Sequence, residues 1–376
     1  MIKSMRRFQL YILLSIVALN VNAQNTLSEP GNRSGQFHLG SFLTADKELD
    51  YKVDSVFRTL DTNSIIAQLI MPATGRLGQS EETIKGLLND NLIGGVLLLN
   101  GTKIQFTNYV TKYNELNKKA GNLPFLYSAD AEPSLVNRKI IGSTPVPKAN
   151  SVKTLIEVYK VANTISNDLN EIGINYNFSP VVDLAANKTV GYRGFGSDPM
   201  NVVPFSNAFI KETQSKNIIA TAKHFPGHGL VSGDTHESLQ VIDGELKELH
   251  NYPPLIESGV LSIMVAHIAV KNNPVFNTNG LASTISSVIV QDLLRDSLKF
   301  NGIIVTDAMN MGGISKMPNA SVRAIEAGCD IILMPKNARI AHHQIKSKYE
   351  TDRIFSKKVD TAAKRLIRMK ICLGLI

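Results

Sequence analysis

The sequence from Ile218 to Gly229 reads IIATAKHFPGHG, and Asp234-Thr235-His236 follows a few residues later. Its first five residues are apolar or small, which is typical of a strand buried on both faces. A lysine and two histidines come next, among glycine and proline residues that do not continue a helix. A polar cluster at the carboxyl end of a buried strand indicates the active site of an α/β protein.

Seven further apolar runs alternate with helix-like stretches along the chain, which predicts a parallel sheet covered on both faces. Eight such units over about 300 residues favour a (β/α)8 barrel over a doubly wound sheet, and no glycine-rich phosphate motif opens the first unit. The predicted strands are Leu69–Met71, Gly95–Leu99, Phe125–Ala129, Tyr176–Val182, Ile218–Ala222, Ile263–His267, Gly302–Thr306 and Asp330–Met334. The predicted helices are 81–90, 103–120, 151–172, 204–216, 244–258, 284–298, 319–327 and 352–371.

The chain divides into a leader, an arm and the barrel. Three basic residues precede a mostly apolar run from Leu10 to Leu19, so residues 1–23 are predicted to be a cleaved signal peptide. An uncleaved anchor is the alternative, but the run is short for crossing a bilayer. Residues 24–50 are polar and predict an N-terminal arm, and residues 51–376 are predicted to form a single (β/α)8 domain with a C-terminal helix. Export predicts a periplasmic or secreted location.

The composition excludes several classes of partner. The formal net charge is +8, and the leader carries three of the positive charges, so +8 − 3 leaves +5 after cleavage. No basic block interleaved with aromatic residues predicts nucleic-acid binding. No later segment is apolar for long enough to insert stably in a membrane. The two cysteines, Cys329 and Cys372, form no disulfide framework, and Cys329 is expected to be a buried thiol. The sequence carries no signal for an oligomeric state.

Polar residues lie at the ends of five predicted strands, and in a barrel such ends meet at one face. They are Asp130, Asp183, the pair Lys223-His224, His267 and Asp307. Asp307 is followed by small residues and a glycine pair, which leaves room for a substrate above its carboxylate. A helix N-cap is the simpler alternative for an aspartate after a strand. The histidine-containing loop over residues 223–236, called the histidine loop, favours the functional interpretation.

The sequence Asp234-Thr235-His236 predicts a general acid/base. An aspartate bonded to one ring nitrogen of a histidine fixes its tautomer and raises the basicity of the other nitrogen. A metal site is the competing interpretation, with Asp234, His224, His228 and His236 as ligands. The adjacent Lys223 and the absence of a zinc-type spacing argue against it, so neither a metal nor another cofactor is predicted. His228 is expected to be a loop residue that bonds to backbone.

The run KHFPGHG with its following Asp-x-His, together with VTDAMNMGG at Val305–Gly313, resembles the family 3 glycoside hydrolases. The similarity is to single-domain bacterial β-N-acetylglucosaminidases and covers most of residues 60–335. The resemblance implies a (β/α)8 barrel and a retaining mechanism, with Asp307 as nucleophile and His236, paired with Asp234, as acid/base. The sugar-binding residues that it implies are Asp130, Arg138, Arg193, Lys223 and His224.

The segment after the third strand departs from the family pattern. Members usually show an Asp-x-Glu-Gly-Gly type segment there, whereas this chain reads Asp130-Ala131-Glu132-Pro133-Ser134 and contains no tryptophan. The spacing from Asp130 to Arg138 is kept. Because proline fixes φ and removes a donor, the backbone of this loop is expected to differ.

The resemblance and the predicted export together indicate an exo-β-N-acetylglucosaminidase acting on peptidoglycan-derived or chitooligosaccharide fragments. Four alternatives stay open. They are a family 3 glycosidase of other specificity, an N-acetylglucosaminide phosphorylase, a secreted sugar-binding barrel that has lost activity, and a metal-dependent amidohydrolase.

Overall fold

A computed structural model describes residues 37–187 and 190–376. The predicted signal peptide, residues 1–23, and the first part of the predicted arm lie outside the described residues. Phe37–Ile376 form one compact unit. Residues 37–50, expected in the arm, instead belong to this unit, because Leu39, Phe42 and Leu49 are buried in its hydrophobic core.

Among the described residues, strands are observed at every position where the sequence predicted one, although several are shorter than predicted. Each of the eight predicted strands overlaps an observed one, and the α/β class is confirmed. The strands are β1 (Ile70–Met71), β2 (Ala73–Thr74), β3 (Gly95–Leu98), β4 (Gly101–Thr102), β5 (Leu126–Ala129), β6 (Ile140–Ile141), β7 (Tyr176–Asn177), β8 (Ile219–Phe225), β9 (Gln240–Asp243), β10 (Ser262–Val265), β11 (Ile268–Lys271), β12 (Ile303–Thr306) and β13 (Ile332–Leu333).

Seven strands form a parallel sheet in the order β12-β10-β8-β7-β5-β3-β2. A parallel pair joins β1 to β13, with Ile70 opposite Ile332. Two smaller parallel pairs, β4 with β6 and β9 with β11, lie in the connections. The residues of β3, β5, β8, β10 and β12 are all buried, as expected for a curved parallel sheet with packing on both faces.

Eleven α-helices lie among the described residues, with four 3₁₀ segments and one π-helix. The α-helices are α1 (Lys47–Arg58), α2 (Thr62–Ala67), α3 (Glu81–Asn89), α4 (Lys103–Lys119), α5 (Val136–Lys139), α6 (Leu155–Ile172), α7 (Pro199–Ser215), α8 (Tyr252–Glu257), α9 (Ala320–Ala327), α10 (Ala338–Thr351) and α11 (Arg353–Cys372). The 3₁₀ segments are Leu39–Leu43, Ala149–Ser151, Leu249–Asn251 and Ser283–Ile285, and the π-helix is Val288–Ser297.

Local chemistry explains the helix ends. Helix α6 begins with a capping box, in which Thr154 accepts from the Glu157 N–H and the Glu157 carboxylate accepts from the Thr154 N–H. It ends at Gly173, whose φ of 92° suits glycine. The helix predicted over 244–258 is shorter than expected, because consecutive prolines at its start are tolerated only in a first turn, so α8 begins at Tyr252.

The helices differ from the sequence prediction in five places. Helices α1, α2, α5 and α10 were not predicted, and the region expected as an ordinary helix over 284–298 is a π-helix. Helix α10 contains two histidines, three lysines or arginines and several polar residues, which obscures its apolar stripe. No helix among the described residues has the length and apolar character needed to cross a bilayer.

Candidate active site

The predicted strand-end residues lie on neighbouring strands of the sheet. Asp130 follows β5, and Asp307 follows β12, as predicted. Lys223 and His224 differ slightly from expectation, since β8 continues to Phe225 and includes both residues. Carboxyl ends of parallel strands share one edge of a sheet, so these side chains belong to one candidate site.

Asp307 is held at the end of β12 by backbone bonds. Its N–H donates to Val265 O at 2.9 Å, and its Oδ1 accepts the Ala308 N–H at 2.7 Å. Burial opposes ionisation, but the neighbouring imidazoles of His224 and His267 and the Ala308 N–H lower the pKa of Asp307 below its ordinary value. The half-buried carboxylate is therefore ionised at neutral pH and fit to act as a nucleophile.

His267 supports the peptide that follows Asp307. Its Nε2 lies 3.0 Å from Ala308 O and its Nδ1 lies 2.7 Å from Thr284 Oγ1. A carbonyl only accepts, so Nε2 carries the proton and Nδ1 accepts from the threonine hydroxyl. Burial lowers the pKa of His267, which keeps this ring neutral at physiological pH. His267 thus positions the segment that carries Asp307, the predicted nucleophile.

The pair Asp234–His236 forms the dyad that the sequence predicted. Asp234 Oδ1 lies 2.7 Å from His236 Nδ1 and also accepts the His236 N–H at 2.9 Å. Burial raises the pKa of Asp234, but these two bonds outweigh it and lower the pKa overall. The His236 side chain is 62% exposed, so its Nε2 faces solvent rather than the core.

The loop that carries the dyad is bonded to the segment that follows Asp307. The Gly312 N–H donates to His236 O at 2.9 Å, and the Gly313 N–H donates to Thr235 O at 3.1 Å. A Cβ on Gly312 would stand 2.3 Å from Glu237 O, so only glycine permits this approach. The structure therefore brings the predicted nucleophile and the predicted acid/base onto adjacent, joined loops.

Asp183 anchors the start of the histidine loop, a role that the sequence did not assign. Its Oδ2 lies 2.6 Å from His224 Nδ1, and its Oδ1 accepts the His228 N–H at 2.8 Å. Burial opposes ionisation of Asp183, but His224 lowers its pKa. His228 bonds through Nε2 to the Thr235 hydroxyl at 3.0 Å, so it links the two ends of the loop. The prediction that its side chain bonds to backbone was wrong.

Glu248 is a second buried carboxyl that the sequence did not indicate. It accepts N–H groups from Leu184 at 2.7 Å and from Gly229 and Leu230 at 3.2 Å. Burial and the nearby Asp183 raise its pKa to about 8. A Cβ on Gly229 would meet Leu184 O at 1.9 Å, which explains glycine at this position. The glycines of the histidine loop were the only local signal for such close packing.

A network of five charged side chains is centred on Lys223, which is in β8. Lys223 Nζ lies 2.9 Å from Asp130 Oδ1 and 2.6 Å from Glu132 Oε1. Lys139 Nζ lies 2.8 Å from Asp130 Oδ2. Arg193 binds Glu132 with two bonds, Nε to Oε2 at 2.9 Å and Nη2 to Oε1 at 2.7 Å. Asp130, Lys223 and Arg193 were predicted as sugar ligands, whereas Glu132 and Lys139 were not.

The network keeps both carboxylates ionised despite burial. Burial alone would raise the pKa of Glu132, but Arg193 and Lys223 lower it to about 2. Lys139 and Lys223 likewise outweigh burial and hold the pKa of Asp130 far below its ordinary value. Burial would lower the pKa of Lys223, yet Asp130 and Glu132 raise it. These side chains can therefore offer fixed charged donors and acceptors to a polar ligand.

Arg138 is not part of this network. It is exposed, and its Nη2 lies 3.5 Å from Tyr192 Oη. The loop over residues 130–134, which differs from the family pattern, also has a structural role. The Ser134 hydroxyl donates to Tyr192 O at 2.7 Å and accepts the Ala149 N–H at 2.9 Å. Ser134 thereby fixes the residue next to Arg193.

Among residues 37–187 and 190–376, no group of three or more His, Cys, Asp or Glu side chains is arranged to hold a metal ion. His224 and Asp234 are instead engaged with different partners, Asp183 and His236. Both cysteines are free and buried.

Residues 61–369 match the family described as Glycosyl hydrolase family 3 N terminal domain. This match covers most of the chain, and the chain belongs to glycosyl hydrolase family 3. The similarity expected from the KHFPGHG and VTDAMNMGG motifs is confirmed.

Three relatives illustrate the relationship. Beta-hexosaminidase A of Pseudoalteromonas piscicida is 28% identical over 317 residues, 74% of this chain and 53% of that protein, so the chain spans about half of its length. The structure of a family 3 β-N-acetylglucosaminidase from a Paenibacillus species gives a TM-score of 0.77 at 27% identity, covering 84% of this chain and 63% of the other. A β-N-acetylhexosaminidase structure from Beutenbergia cavernae gives 0.74 at 26% identity, covering 82% and 97%.

Proposed function

We propose that the protein is a retaining exo-β-N-acetylglucosaminidase that works through a covalent glycosyl-aspartate. The observation that carries the proposal is the joining of two loops, one with the ionised Asp307 and one with the dyad of Asp234 and His236. A nucleophilic carboxylate and a separate proton donor are the two groups that a retaining glycosidase needs. The names of the similar proteins supply the sugar, N-acetylglucosamine.

In the first step, an Asp307 oxygen attacks the anomeric carbon, and the glycosidic bond breaks. His236 in its protonated form gives the Nε2 proton to the departing oxygen, so the leaving group departs as a neutral alcohol. Asp234 holds Nδ1 at 2.7 Å, which aims Nε2 away from the carboxylate. In the second step, the neutral Nε2 takes a proton from water, the water oxygen bonds to the anomeric carbon, and Asp307 leaves as a carboxylate.

The charged network is the sugar-binding part of the proposal. Asp130 and Arg193 are ionised and reach the surface of the site, where they can bond hydroxyl or acetamido groups. Lys223 is 1% exposed and Glu132 is fully buried, so these two support the exposed members from below. His224 is fixed by Asp183 next to them.

Closure of the strands into a complete (β/α)8 barrel is also part of the proposal. Backbone bonds that join the β1–β13 pair to the seven-stranded sheet support it: the Thr306 N–H donates to Ile331 O at 3.0 Å, and the Gly94 N–H donates to Ile70 O at 3.1 Å. The pairing of Ile70 with Ile332 joins the two edges. We further propose export through the N-terminal leader and action on peptidoglycan-derived or chitooligosaccharide fragments in the periplasm or outside the cell.

A phosphorylase is a second candidate, favoured by one observation. The proton donor is a largely exposed imidazole rather than a second carboxylate, so its neutral form does not repel an anionic acceptor. Phosphate could then replace water in the second step, with its oxygen bonding to the anomeric carbon while Asp307 departs.

Turnover of aryl glycosides tests both candidates. The proposal expects the aryl β-N-acetylglucosaminide to be cleaved far faster than the β-glucoside and the β-xyloside. The product should be free N-acetylglucosamine with the β-configuration at first release. Preference for the glucoside or the xyloside would contradict the proposed specificity, and sugar 1-phosphate as the main product in phosphate buffer would identify a phosphorylase. Absence of turnover would favour a sugar-binding protein.

A further inference from the structure

Two consecutive cations, Arg138 and Lys139, point in different directions at the end of α5. Lys139 Nζ lies 2.8 Å from Asp130 Oδ2, whereas Arg138 is exposed and lies 3.5 Å from Tyr192 Oη. Neighbouring residues of a helix do not face the same side. Only one of these two side chains can therefore meet a ligand at Asp130, and in the structure that side chain is Lys139.

The side chains of the charged network differ in their exposure to solvent, and they form a buried lower layer and a partly exposed upper layer. Lys223 and Glu132 are 1% and 0% exposed, so they lie beneath the surface of the site. Asp130 and Lys139 are each 19% exposed, and Arg193 is 12% exposed. A sugar entering the site meets the upper layer, and Lys139 is the lysine that it meets.

Lys139 has bonding capacity left for such a ligand. An ammonium group has three N–H donors, and among the described residues Nζ bonds only to Asp130. A sugar hydroxyl both donates and accepts. It can donate to the Asp130 carboxylate and accept from Lys139, and bonds to charged partners are the stronger kind.

We propose that Lys139, and not Arg138, is the cation that, together with Asp130, binds a hydroxyl of the terminal sugar. The assignment rests on the proposed glycosidase function, because it names the residue that recognises the substrate of that same site. Lys139 then takes the sugar-binding role that the resemblance to family 3 glycoside hydrolases implies for Arg138.

The test compares Lys139→Met with Arg138→Met, a matched pair of neighbours that each lose one charge. On the aryl β-N-acetylglucosaminide, Lys139→Met should lower kcat/KM by roughly 10- to 100-fold, the range for a hydrogen bond to a charged group. Arg138→Met should change it by less than about threefold, as for a side chain outside the site. Lys139→Arg, which keeps the charge and the donors, should recover part of the loss.

Substrates that lack one hydroxyl in turn, at C3, C4 or C6, separate binding from a structural role. For the hydroxyl bound by Lys139, the wild type should lose activity and Lys139→Met should add little further loss. A larger loss for Arg138→Met than for Lys139→Met would overturn the proposal. Equal losses by Lys139→Met on all three deoxy substrates would overturn it too, since they would show only support of Asp130.

Failure of the proposed function gives a different result. If the wild type cleaves another aryl glycoside, the specificity is wrong, but the same two variants can be compared on that substrate with the same expected ratio. If it cleaves none, calorimetric titration with free N-acetylglucosamine replaces turnover. Binding weakened by Lys139→Met alone would support the proposal, and no binding by the wild type would overturn it.

Discussion

Replacement of His236 by alanine should separate substrates by their leaving groups. The imidazole is 62% exposed and bonds only through Nδ1 to Asp234 among the described side chains, so its removal takes little packing from the fold. Asp307 keeps its bonds to Val265 and Ala308. The proposed nucleophile is therefore intact in this variant, and the proposed proton donor is gone.

The size of the effect follows from this exposure. General acid catalysis contributes about 10²- to 10⁴-fold. Because His236 is largely solvated rather than held in a dry pocket, we expect the lower end for a disaccharide, about 10²-fold or about 2.7 kcal/mol of barrier. An activated dinitrophenyl glycoside leaves without a proton, so its glycosylation step should slow by less than about tenfold.

The assay is kcat/KM across a series of aryl leaving groups, with a disaccharide at the slow end. Glu237→Ala, an exposed neighbour on the same loop, serves as the control and should leave the series unchanged. Added azide should speed turnover of activated substrates by the His236 variant and yield a glycosyl azide, because azide needs no general base. Equal losses for all leaving groups would refute the reasoning and make His236 a binding residue.

Three further results are expected. Glu132→Gln leaves Arg193 without its buried carboxylate partner, which should cost about 3–5 kcal/mol. The pKa of Glu132 is lowered from 4.5 to about 2, so above pH 4.5 the wild type should melt at a higher temperature than Glu132→Gln by a constant amount. This difference in melting temperature should shrink as the pH falls towards 2, because the carboxylate of the wild type is then protonated. A difference that stays constant from pH 7 to 2 would contradict this. Gly229→Ala forces a Cβ to within 1.9 Å of Leu184 O and should lower kcat at least tenfold. The control, Gly86→Ala, places its Cβ in open space and should leave kcat unchanged. Equal kcat values for the two variants would show that the loop tolerates the side chain. Chelator should leave turnover unchanged, and a loss reversed by added metal would favour an amidohydrolase.

The sequence predicted the features that depend on local pattern. The strands were found because residues buried on both faces form continuous apolar runs, as in β8 and β12. Asp234 and His236 were recognised as a pair because they stand two residues apart. Asp307 was found because it follows a strand directly.

The remaining features depend on residues that are distant in the chain. Glu248 contacts Leu184 across 64 positions, and Arg193 contacts Glu132 across 61, so no local pattern links them. Which of Arg138 and Lys139 reaches Asp130 depends on the direction of the last turn of α5. The preserved spacing from Asp130 to Arg138 does not reveal that direction. Residues 37–50 belong to the folded unit because a few apolar residues, among them Phe42, pack into its hydrophobic core from an otherwise polar segment.

Covalent labelling tests the central claim, that Asp307 is the nucleophile of a retaining glycosidase. A slow fluorinated β-N-acetylglucosaminide is incubated with the protein, and peptide mapping by mass spectrometry locates the added sugar. The account predicts one glycosyl group per chain, as an ester on Asp307, and no labelling of Asp307→Ala. A glycosyl group on Asp130 or Asp183, or turnover of the reagent by the Asp307→Ala variant, would contradict it.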